Sequence, residues 1–164
     1  MPSWYLDALN IMGSSLVLFL IPAAAFYYYT RDKLSFRFTV ITMIFFFIGI
    51  TLDMPIRNID QGLFIYRYLI WAALDITWMA VIAYWALKDK VHLWQSIVGQ
   101  LVVVFAPLLQ LFRLLDRHLW DLSYSDYLYQ TLLPIINIAT IAVCYLPVFY
   151  FFFNKKKPHK QLAN

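Results

Sequence analysis

The chain has 164 residues, 63% hydrophobic and 20% aromatic, and only 13% charged, where a soluble domain carries about a quarter charged residues. That composition calls for lipid as the solvent of most of the chain and leaves no room for a separate soluble domain. The formal charge of +4 sits in short runs flanking apolar segments, which argues against a nucleic-acid partner, and the single Cys144 excludes an internal disulfide and a cysteine-based metal cluster.

Five apolar stretches approach the length that carries a helix across about 30 Å of hydrocarbon. They are predicted over about 11–29, 36–54, 64–87, 93–115 and 127–153. The first contains Pro22 and ends in Tyr27-Tyr28-Tyr29. Its Ala23-Ala24-Ala25 resembles a cleavage site, but no Lys or Arg precedes Ile11, so it reads as a retained span. The second is short unless Arg37 snorkels outward. Arg67 and Asp75 lie in the third, Pro107 in the fourth, and Pro134 and Pro147 in the fifth. Prolines of this kind are tolerated in membrane helices and kink them. The fold class is therefore all-α, a polytopic helix bundle forming one transmembrane domain.

Charge placement gives the expected orientation. Arg31, Lys33, Arg37, Lys88, Lys90 and the four lysines of the tail fall on one side of the bundle, nine in all, against four (Arg57, Arg67, Arg113, Arg117) on the other. The positive-inside rule puts the N-terminus outside and the C-terminus in the cytosol of an inner membrane. Six of the nine Asp residues lie on the outer side, in agreement. Tyr and Trp at the span ends suit the headgroup zone.

The third span carries the most information. Arg67, Trp71, Asp75, Trp78, Ile82 and Trp85 recur at intervals of four and three, so they share a helix face. The tryptophans on such a face serve as packing as readily as a binding wall. Asp75 is different, because it lies about ten residues from either end of its span. A carboxylate at that depth costs several kcal/mol on insertion scales, so it must be protonated, hydrogen-bonded or in contact with a wet cavity. Arg67 is eight residues away, roughly 12 Å along the helix, too far to pair easily. Asn137 is the best-placed partner, with Thr42 and Gln100 as others, and Gln130, Pro134, Asn137 and Cys144 fall on one face of the fifth span.

Polar intramembrane residues gather in the outer halves of the spans. They include Asn10, Ser14, Ser15, Thr51, Asp53, Arg67, Asp75, Gln110, Arg113, Gln130 and Asn137. The inner halves are drier, with Thr39, Gln95, Ser96 and Gln100 as exceptions. Helix ends are wetter in general, yet Asp75 and Asn137 are too deep for that explanation.

The recognisable chemistries are missing. Two facing membrane histidines for haem, an intramembrane lysine for a retinal Schiff base, a Gly-rich phosphate loop, a zinc pattern and a Ser/Lys dyad are all absent, so no cofactor is expected. The expected function is non-enzymatic binding of a small ligand, an ion or a membrane partner in an outward-facing pocket. Arg67 would stand at its mouth, Trp71 and Trp78 would form walls, and Asp75 and Asn137 the floor. Transport would extend this reading, although only four glycines are available for broken helices. The alternative is a small interaction protein, such as a bacteriocin-immunity or exclusion protein or an accessory subunit of a membrane complex. The expected partners are the lipid bilayer and a small ligand, an ion, a membrane protein or a second copy of the chain.

Overall fold

The computed structural model describes residues 3–60, 65–119 and 123–154, with side chains described from Ser15 in the first helix and over 125–153 in the last. Every regular element among them is helical: α1 (Ser3–Thr30), α2 (Lys33–Ile59), α3 (Ile65–Leu87), α4 (Leu93–Val103), α5 (Phe105–Leu119) and α6 (Ser123–Asn154). Four passages are long and apolar enough to cross a membrane: α2, α3, α4 with α5, and α6. In α1 the apolar portion with described side chains is Ser15–Thr30, which is shorter. The expected fourth span is thus two helices rather than one. Pro107 explains the break, since its ring collides with the carbonyl four residues back, and that carbonyl belongs to Val103, the last residue of α4. The other helical prolines, Pro22, Pro55, Pro134 and Pro147, leave their helices unbroken.

At Pro147 the compensation is visible. A proline supplies no N–H to the carbonyl four residues earlier, here that of Val143. The Gln95 side chain, fully buried on α4, donates Nε2 to that carbonyl at 3.2 Å. That bond accounts for the amide nitrogen of a glutamine buried in the dry half of the bundle, while its Oε1 is buried with no partner among the described residues. Two tyrosines stitch α1 to α6 in the same way: Tyr27 donates to the Cys144 carbonyl and Tyr145 to that of Phe19, both at 2.6 Å.

The turns at one end are tightly built. After α1, Asp32 N–H bonds Tyr27 O and Arg31 N–H bonds Tyr28 O, with Arg31 at φ 58°. After α3, Lys90 N–H bonds Trp85 O and Asp89 N–H bonds Ala86 O, with Asp89 at φ 53°. Both are Schellman closures, with a non-glycine residue at the left-handed position that glycine usually fills. Asp32 then caps α2, accepting from Leu34 N–H and Ser35 N–H at 3.2 Å each. At the opposite end Asp60 caps α3, accepting from Tyr66 N–H and Arg67 N–H at 3.2 Å each.

The helices close a ring in chain order. α1 packs on α2, α2 on α3, α3 on α4 and α5, these on α6, and α6 back on α1. The ring is not filled uniformly. Its apolar core, with Leu20, Phe38, Trp78, Ile82, Val103, Val143 and Cys144, lies toward the α1–α2 and α3–α4 turns. Large apolar side chains such as Leu18, Phe47, Met54, Leu101 and Phe153 face outward on the rim.

Candidate functional site

Beyond Trp78 the ring opens into a cavity of about 620 Å³, lined from all six helices. It extends from Asp53, Arg57 and Arg67 near the α2–α3 end to Thr42, Trp78 and Thr140 where the core begins. The helical period of α3 explains its main wall. Arg67, Trp71, Asp75 and Trp78, spaced four, four and three, fall on the inward stripe. From α6, Tyr129, Leu133, Pro134, Asn137 and Thr140 repeat the same period, and α5 adds Ala106 and Gln110. All five residues singled out from the sequence, Arg67, Trp71, Asp75, Trp78 and Asn137, line this one space.

Trp78 is the floor. It is 4% exposed, donates Nε1 to Thr42 Oγ1 at 3.2 Å and meets Phe38 edge-to-face at 5.8 Å between centroids. Gly99 lets the helices close here, because a Cβ at that position would stand 3.0 Å from Phe38 and 3.2 Å from Trp78. Trp71 is half-buried against α2, and a Cβ on Gly49 would stand 3.3 Å from its ring. Trp85 packs against the core instead of reaching the cavity.

Several polar groups of the cavity are already engaged. Asp53 and Arg57 form an ion pair at 2.9 Å. Tyr129 donates to Gln110 Oε1 at 2.9 Å and meets Tyr68 edge-to-face. Thr42 and Thr140 donate to the carbonyls of Phe38 and Ile136, each at 2.9 Å. Arg67, Asp75 and Asn137 differ: among the described residues none has a side-chain hydrogen bond or ion pair. The Nε of Arg67 is buried without a partner. The expected Asp75–Asn137 pairing therefore becomes a shared cavity wall rather than a contact. The physical reason is space, since side chains facing each other across an open cavity need not meet.

Other sequence expectations are redistributed. Gln130 is exposed and donates to Asp126 at 2.8 Å, while Cys144 is buried in the core, so the polar face expected on the fifth span reduces at the cavity to Pro134 and Asn137. Arg113 does not reach the cavity. Within α5 it pairs with Asp116 at 3.1 Å, and it ties α5 to α6 through an ion pair to Asp126 at 2.9 Å, with the Ser125 hydroxyl of α6 bonded to both Arg113 and Asp116. Tyr129, Asp53 and Arg57 were missed as lining residues. The spacing from Tyr129 to Asn137, two helical turns, was the available signal. Asn10 and Ser14 lie where side chains are not described.

Among the described residues no group of three or more His, Cys, Asp or Glu is placed to hold a metal ion. No family model, curated protein or solved structure matches the chain. Function is therefore argued from the cavity itself.

Proposed function

We propose that the chain is a multi-pass inner-membrane protein of five passages, N-terminus outside and C-terminus cytosolic, that binds a small polar ligand in its central cavity. The observation that carries this reading is the pair of charged side chains, Arg67 and Asp75, facing the same cavity with no partner among the described residues. An unpaired charge partly withdrawn from water is costly, and Arg67 and Asp75 are both half-buried. Charges that serve structure are paired, as Arg113 is with Asp116 and Asp126. Charges left open toward a cavity are poised for something that enters it.

The volume suits that role. About 620 Å³ falls inside the range of roughly 300–1,000 Å³ typical of small-molecule sites. The composition suits it too, since aromatic and aliphatic walls surround a few convergent polar groups. With the positive-inside assignment, the Arg67 end faces outward. The ligand would arrive from outside and stop at Trp78, above the packed cytosolic half. Binding without a transport cycle is favoured by the continuous core that closes that half.

A thermal-shift screen of purified wild-type protein against small charged metabolites tests the reading. At least one compound should raise the melting temperature of the wild type and leave that of Asp75→Asn unmoved. Compounds that stabilise both proteins equally, or none that stabilises either, would contradict it.

A further inference from the structure

We infer that the ligand of this cavity is a zwitterion, held with its anionic end at Arg67 and its ammonium end at Asp75. The inference rests on the cavity being a binding site and goes on to name the chemistry that fits it. Among the described residues four charged side chains line the cavity, and of these Asp53 and Arg57 neutralise each other at 2.9 Å. That leaves one positive and one negative group, and both lie on α3.

Their spacing keeps them apart. Eight residues of helix is about 12 Å of axial rise, so neither group is the natural counterion of the other. An anion alone would satisfy Arg67 and leave Asp75 unpaired. A cation alone would do the reverse. A zwitterion satisfies both and carries no net charge into the membrane, so its entry costs less than that of either ion.

The spacing also sets a length. The two α-carbons stand about 12 Å apart along the helix. A charge-assisted hydrogen bond at each end then favours a ligand whose two charges are separated by a flexible spacer of several bonds over an α-amino acid. Trp71, four residues from each charge, lines the wall between them. Its ring face can receive the ammonium as it passes toward Asp75. Asn137 faces the same space and offers a carbonyl oxygen to the same ammonium. Two sources carry this chemistry: a free ω-amino acid, and the phosphoethanolamine headgroup of a lipid.

The test uses the full chain in nanodiscs of phosphatidylglycerol, a lipid without an ammonium group. δ-Aminovalerate, glycine, pentanoate, pentylamine and phosphoethanolamine are titrated by calorimetry. In a second arm, discs containing phosphatidylethanolamine are analysed by mass spectrometry for retained lipid. If the ligand is a free solute, δ-aminovalerate binds about ten-fold or more tightly than pentanoate, pentylamine or glycine. Arg67→Gln then removes its advantage over pentylamine, and Asp75→Asn its advantage over pentanoate. If it is a headgroup, phosphatidylethanolamine is retained by the wild type and lost from both variants. A singly charged analogue that binds as well as δ-aminovalerate overturns the zwitterion while leaving the cavity a binding site. Solutes and lipid that fail to distinguish wild type from either variant overturn it as well, and the thermal-shift screen then judges the broader reading separately. The wild-type comparison of probes requires no variant to fold.

Discussion

Asp75 was legible in the sequence because depth and charge conflict there, and no exposed position relieves the conflict. Its role in stability follows from its surroundings. It has no hydrogen bond or ion pair among the described residues, so Asp75→Asn should leave stability within about 0.5 kcal/mol, the range of substitutions that break nothing. Asp75→Leu should be neutral or stabilising, since it removes a poorly solvated carboxyl. Denaturant unfolding in detergent checks both. A loss of roughly 0.6–2 kcal/mol in Asp75→Leu, the range for an interhelical hydrogen bond in membranes, would mean that Asp75 is a structural tie. Trp71 and Trp78 were legible from period alone, but their separate tasks were not. One lines the cavity and the other closes it, and that division depends on Thr42, Phe38 and Gly99, which come from two other helices.

At the scale of elements, hydropathy located the four long apolar passages and missed that one of them is built from two helices. Pro107 stood in plain view, yet among the described residues five prolines are helical and only this one breaks its passage. At Pro147 the freed carbonyl of Val143 is met by Gln95, which lies 52 positions away from the proline in sequence. Arg113 is the other case. Its charge looked like part of a polar rim, whereas it clamps α5 to α6 at a place where Asp116 is fully buried. Arg113→Met should therefore cost about 3–5 kcal/mol, because it removes the cation paired with a fully buried carboxylate. Adding Asp116→Leu should recover part of that loss. Unfolding of the single and double variants measures both, and equal stability of Arg113→Met and wild type would show that the clamp contributes nothing.

Among the described residues the helices form a ring that is packed at one end and encloses a cavity toward the other. The drier half read from the sequence corresponds to the core around Leu20, Phe38 and Ile82, and the polar half to the cavity around Asp75 and Asn137. That division was legible because polar residues at matching depth on separate spans leave few arrangements other than a shared interior. The closure of the ring, with α6 returning to α1, was not, since no local pattern records which helices become neighbours. The most direct test of a hollow end open to the outside is labelling by a membrane-impermeant maleimide in intact cells. Asn137→Cys, in a chain whose Cys144 is replaced by Ala, should react from outside, and Lys90→Cys should react only after permeabilisation. An Asn137→Cys that stays unlabelled, or a Lys90→Cys that labels in intact cells, would contradict an outward-facing cavity.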